Sequence, residues 1–103
     1  IYYYVYMSNT HALSFDVLER VAHRFLILSE PIRLQLIQHL LGGERCVSDL
    51  VEAIKGTQGN ISRHLNILHT EGILGRRKEG ISVYYFIADK SVTDLCKIVC
   101  SRL

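Results

Sequence analysis

One proline in 103 residues, three cysteines, no Gly/Ser-rich tract and no apolar run of membrane-spanning length each remove a class of protein from consideration. The scarcity of proline, with 49% hydrophobic residues, leaves little room for a flexible linker or a disordered tail. Three thiols cannot all pair, and no signal peptide precedes them, so they are expected to be reduced thiols in the cytoplasm, not a disulfide framework. The missing apolar run argues against a membrane partner. Charge is almost balanced, with 12 Lys and Arg against 10 Asp and Glu, so affinity for phosphate must come from where the cations sit and not from their total.

A chain of this length can form one domain with a modest core, of the kind that dimerisation often completes. Residues 1–13 are expected to be an N-terminal arm and residues 14–103 a single domain. The opening IYYYVY precedes Met7 and has no helical period. It reads either as a remnant from upstream of the native start or as a strand-like arm that docks on a partner.

Ser14 can cap a first helix in which Phe15, Leu18, Val21, Ala22, Phe25 and Leu28 recur at spacings of three and four. That stripe is wide for a small domain. Pro31 suits the first turn of a second helix carrying Ile32, Leu34, Leu36, Ile37, Leu40 and Leu41, which is expected to be buried on most sides and to end at Gly42-Gly43. A third helix, Val47 to Ile54, buries Val47, Leu50, Val51 and Ile54, with Gly56 available for positive φ at its end. Thr57 is a natural N-cap for a fourth helix from Gln58 to about Glu71, stopped by Gly72.

The fourth helix separates two faces. Ile61, Leu65 and Leu68 form an apolar one; Gly59, Arg63, Asn66 and Thr70 lie opposite, with Ser62 at the border. Ile67 falls on the polar side, so the later half is expected to pack against the hairpin or a partner, leaving the first two turns to read bases. Arg63 can bond guanine O6 and N7, and Gln58 or Asn60 can pair with adenine or hold a phosphate. His64 flanks the apolar face and reads as a packing or phosphate-contacting residue before a metal ligand.

After Gly72, ILGRRKEGISVYYFIA fits two strands joined at Glu79-Gly80, with Ile81, Val83, Tyr85 and Ile87 alternating with Ser82, Tyr84 and Phe86. Arg76, Arg77 and Lys78 cluster before the turn and can neutralise phosphates or reach a minor groove; the alternative is an edge strand guarded by charge. The sum is a mainly α fold with a β-hairpin (α+β), in the order α-α-α-α-β-β-α, a winged helix-turn-helix. The expected DNA-facing set is Thr57, Gln58, Gly59, Asn60, Ser62, Arg63, His64, Asn66, Arg76, Arg77 and Lys78. A winged helix used for protein interaction would instead show an apolar or acidic outer face on the fourth helix. An enzyme is not expected: His11, His23, His39, His64 and His69 are scattered, without a catalytic motif beside them.

The stretches SEPIRLQLIQHL, ERCVSDLVEAI, ISRHLNILHTEGIL and RRKEGISVYYFIAD, from about Phe25 to Asp89, together resemble the ArsR/SmtB family of winged-helix repressors. The resemblance implies a homodimer formed by the first and last helices, bound to a pseudo-palindromic operator and released by an inducer. The last helix, from Ser91, carries its own apolar stripe of Val92, Leu95, Cys96, Val99 and Leu103.

Inducers in that family include arsenic or antimony, zinc, cadmium and reactive sulfur. Cys46 coincides with the first cysteine of the family's CxC thiolate motif, but Ser48 replaces the second. The zinc pattern that would begin at Asp89 has Ser91 and Arg102 where histidines are needed. Cys96 and Cys100 remain, four apart on one helix face, able to share a thiophilic metal or metalloid or to react with sulfane sulfur. Their other reading is as small hydrophobes in the dimer. Cys96, Cys100 and Cys46 are thus the inducer-sensing candidates; no cofactor is expected to be required beyond a thiophilic metal or metalloid that Cys96 and Cys100 could hold, and a regulator without cysteine-based sensing is the alternative.

Overall fold

The computed structural model describes residues 13–103, so the expected arm, apart from Leu13, lies outside the described residues. Five helices and three strands follow one another: α1 (Phe15–Leu28), α2 (Pro31–Leu40), β1 (Arg45–Cys46), α3 (Val47–Ile54), α4 (Gln58–Thr70), β2 (Leu74–Glu79), β3 (Ser82–Ile87) and α5 (Lys90–Cys100). This is the expected winged helix-turn-helix with one addition, the two-residue strand β1. It pairs with β3 to make a three-stranded antiparallel sheet in the order β1-β3-β2.

Side-chain chemistry fixes the helix starts. Ser14 accepts from the Val17 amide at 3.2 Å, Thr57 from Asn60 at 3.2 Å, and Asp89 from Ser91 at 3.0 Å, each satisfying a donor the helix itself cannot. Pro31 opens α2, where its missing N–H costs nothing. The end of α3 differs from expectation: Lys55, not Gly56, takes the left-handed conformation (φ 59°). Gly56 is needed for space, because a Cβ there would press on the Ile61 side chain at 3.0 Å. Gly72 (φ 80°) reverses the chain after α4 as expected.

The core lies between α2, α3, α4 and the sheet. Leu36, Ile37, Leu50, Ile61, Leu65, Leu68, Ile73 and Leu74 are its fully buried side chains, each stabilising by about 1.5–3 kcal/mol. Ile61, Leu65 and Leu68 are the face expected of α4, and Ile67 packs on the same core half-buried. Helix α2 was expected to be buried on most sides, but Leu34 and Leu41 are exposed and only Leu36, Ile37 and Leu40 are enclosed. The stripe on α1 stays outside: Phe15, Leu18, Val21 and Phe25 are exposed, and only Ile27 and Leu28 reach the core. The hairpin turn sits one residue later than expected, at Gly80-Ile81, with Glu79 opposite Ser82. Gly80 takes φ 61° while Ile81 keeps negative φ, the pattern of a II′ hairpin turn.

Candidate nucleic-acid interface

Helix α4 begins at the surface. Thr57, Gln58, Gly59, Asn60, Arg63 and Asn66 are exposed and Ser62 is half-buried, so the polar face read from the sequence is the solvent face. No acidic residue occupies the first turn, which leaves the positive end of the helix dipole open to an anion. Arg63 donates from Nη2 to Asn60 Oδ1 at 2.8 Å, a pairing that holds the guanidinium over the first turn. The Asn60 amide nitrogen is left as the donor of that pair.

Beside this helix end runs an open groove of about 770 Å³, walled by Gln58 and Ser62 on one side and Arg76, Lys78, Ser82 and Ile81 of the wing on the other. Cross-strand partners share a sheet face, and here Arg76 opposes Tyr85, Arg77 opposes Tyr84, and Lys78 opposes Val83. Because a strand alternates with a period of two, the basic cluster divides. Arg76 and Lys78 line the groove; Arg77 belongs to the opposite face. There it donates from Nε to both Glu44 carboxylate oxygens at 3.1 Å, pairs with Glu79, and lies 4.6 Å over the Tyr84 ring. These bonds hold the Glu44 carboxyl below the usual carboxylate range and the Arg77 guanidinium firmly protonated. Of the three clustered cations, Arg76 and Lys78 therefore face the groove, and Arg77 faces away from it, paired with Glu44 and Glu79.

His64 takes the packing side of its two expected readings. Only 5% exposed, it turns into the core, where Nδ1 accepts from Arg33 Nε at 3.2 Å while Arg33 Nη1 holds the Ile27 carbonyl at 3.1 Å. Burial, then the Arg63 and Arg33 charges, push its pKa down, so it is a neutral acceptor that docks α4 on α2. Its place beside Leu65 on the apolar face was the sequence signal. Glu44 was missed because only the folded sheet brings it to the wing, and Ser82, read in the second strand of the hairpin, was not singled out as lining the groove.

The thiols lie in two places. Cys46 stands in the groove beside α4, at the start of α3, its Sγ 3.2 Å from Ser48 Oγ, the residue that replaces the second cysteine of the thiolate motif. Cys96 and Cys100 both line a second groove, about 590 Å³, between α5 and the Leu34 and Leu41 side of α2. Cys96 is half-buried; burial first, and Cys100 beside it second, raise its pKa. Among the described residues no three His, Cys, Asp or Glu side chains converge as a metal site, so two thiols are the donor set of one protomer in that groove. No helix among the described residues is long and apolar enough to cross a membrane.

The sequence model of the arsR family of bacterial regulatory proteins matches residues 30–75, from the cap of α2 into β2. An HTH-type transcriptional regulator of Methanocaldococcus jannaschii is 38% identical over 82 residues, covering 79% of this chain and 92% of the relative. A transcriptional repressor SmtB homolog of Synechocystis is 35% identical over 91 residues, 88% of this chain and 69% of the relative. Among solved structures, the homodimeric winged helix-turn-helix DNA-binding domain from Mycobacterium bovis superposes with a TM-score of 0.76 at 31% identity, covering 84% of this chain and 80% of that one. The chain belongs to the ArsR/SmtB family of winged-helix DNA-binding transcriptional repressors, and it is a regulator, not an enzyme.

Proposed function

We propose that this chain is a cytoplasmic homodimeric repressor that binds a pseudo-palindromic operator and leaves it when a thiophilic inducer engages Cys96 and Cys100. Bases are read from the first two turns of α4 by Gln58, Asn60, Ser62, Arg63 and Asn66, with Thr57 and Gly59 letting the backbone approach. Arg76 and Lys78 hold the DNA backbone. The observation that carries the reading is the separation of surfaces: polar and basic groups line the groove between α4 and the wing, whereas α1 exposes Phe15, Leu18, Val21 and Phe25, and α5 exposes Ile98 and Val99. Two protomers joined through α1 and α5 would bury that apolar stripe, and the homodimeric state of the Mycobacterium bovis domain supports a dimer.

Two thiols suit a soft, sulfur-seeking inducer, such as trivalent arsenic or antimony, another soft metal, or reactive sulfur. A coupling of about 1–3 kcal/mol between inducer and operator suffices for derepression. The raised pKa and half-burial of Cys96 favour a second reading, in which both thiols pack and the repressor has no cysteine-based response. One titration separates the two. A duplex selected from a random pool is bound by the reduced protein, and arsenite, zinc or a polysulfide donor is then added. Release by wild type and retention by the Cys96→Ser/Cys100→Ser double variant is expected. Equal behaviour of the two proteins removes the thiol model and leaves the DNA-binding one standing.

A further inference from the structure

The tip of the wing carries a residue of the wrong kind for a solvated turn. Ile81 is 100% exposed, and among the large apolar side chains of the described residues only the terminal Leu103 is as bare. Two-residue hairpin turns ask for Gly, Asn or Asp, and Gly80 meets that demand at the first position with φ 61°. The second position carries no such requirement, so nothing in the turn's backbone geometry calls for a β-branched side chain there. Nor does Ile81 belong to the apolar stripe of α1 and α5, since it borders the groove that Gln58, Ser62, Arg76 and Lys78 line.

Resting on the DNA-binding reading, we propose that Ile81 is an apolar contact inside the minor groove, where the wing tip packs its side chain against deoxyribose and base edges. The flanking cations favour this occupant: Lys78 and Arg76 lie on the same wing face as the groove and draw the tip towards phosphate. A duplex offers apolar surface in few places, and the sugar walls of the minor groove are one of them. Proteins that use this groove insert Ile, Leu, Phe, Met or Pro there beside basic residues. The contact adds affinity without adding an ion pair, and it makes the sequence flanking each half-site matter through groove width and deformability.

The test uses full-length protein and a duplex selected from a random pool by the wild type. Ile81→Ala is expected to bind about tenfold more weakly, the loss of a partly buried apolar side chain. The slope of log affinity against log salt is expected to stay at the wild-type value. Lys78→Ala, in contrast, is expected to lower that slope by about 0.9 for each wing that contacts the duplex. Hydroxyl radicals cleave at minor-groove sugars, so wild type is expected to protect a short tract outside the major-groove contacts, and Ile81→Ala to expose it. Ile81→Val is expected to keep both affinity and protection, which distinguishes lost packing from a disturbed turn. Wild-type affinity in Ile81→Ala, or an unaltered cleavage pattern, overturns the inference and leaves the DNA-binding reading intact. If the wild-type protein enriches no duplex, both fall together.

Discussion

Arg24 of α1 and Asp89 at the cap of α5 are joined by a 2.8 Å ion pair, and the same guanidinium donates from Nη2 to the Glu71 carbonyl at the end of α4 at 3.1 Å. One side chain thus ties α1, with its exposed apolar stripe, to the end of α4 and to the N-cap of α5, the helix that carries Cys96 and Cys100. Its exposure is intermediate, so solvent screens the pair. Arg24→Ala is expected to cost only about 1 kcal/mol in chemical denaturation. The larger expected effect is on coupling: the variant should bind operator and lose part of its inducer response, read as a smaller shift in operator affinity on adding inducer. An unchanged response would confine Arg24 to a structural role.

Asp89 also gives the protein a pH dependence. Its hydrogen bonds from Ser91, and then the Arg24 charge, hold its carboxyl below the usual 3.8. A depressed folded pKa means that the unfolded chain binds the proton first. The contribution of Asp89 is therefore complete above about pH 4, and is lost as pH falls through the lower folded value. Urea midpoints of wild type and Asp89→Asn should differ at neutral pH and converge in that acid range.

His64 acts higher on the pH scale. Its folded pKa lies below the ordinary 6.5 because burial and the Arg63 and Arg33 charges oppose protonation. The unfolded chain again takes up the proton first, so the stabilisation from a neutral His64 is full above about pH 6.5 and declines as pH falls towards the folded value. Protonation would turn the acceptor of the Arg33 bond into a donor. Stability of wild type is expected to fall between neutral pH and about 5 more steeply than that of His64→Gln. Parallel profiles would show that another group titrates.

Local chemistry made the helices legible: Ser14, Pro31, Thr57 and Gly72 mark starts and stops through capping and backbone preference, which need no tertiary context. The polar face of α4 was legible for the same reason, since period alone separates Ile61, Leu65 and Leu68 from Arg63 and Asn66. What escaped depends on partners distant in sequence. The strand β1 exists only because Arg45 and Cys46 meet Tyr85 and Tyr84. The fate of Arg77 depends on Glu44, thirty-three positions away. The exposure of α1 follows from where the core closes, which a stripe of apolar residues cannot reveal by itself. The α5 thiols were visible, but their facing the α2 groove was not.

Gly75 and Phe86 pack against each other across the two strands of the wing. They are cross-strand partners, and a Cβ at Gly75 would overlap the Phe86 ring. Gly75→Ala is expected to push the partly exposed ring aside and cost about 1 kcal/mol. Gly75→Ala combined with Phe86→Leu should recover part of that loss, because the smaller side chain leaves room. Additive losses in the double variant would place the cost in the strand backbone and not in the overlap.

The Glu44 pairing makes Arg77 the reserve cation of the wing. In the free protein its charge is spent on Glu44 and Glu79, whereas Arg76 and Lys78 face the groove without such carboxylate partners. Glu44→Gln removes the negative charge and loosens the guanidinium without touching the groove or the α4 face. Operator affinity is expected to rise, with a salt slope steeper by up to about 0.9 for each wing as one more phosphate becomes neutralised. Arg77→Ala in the wild-type background is expected to leave that slope nearly unchanged, in contrast to Lys78→Ala. If Arg77→Ala lowers the slope as much as Lys78→Ala does, Arg77 leaves Glu44 on binding DNA, and the pair is a contact exchanged for phosphate during association.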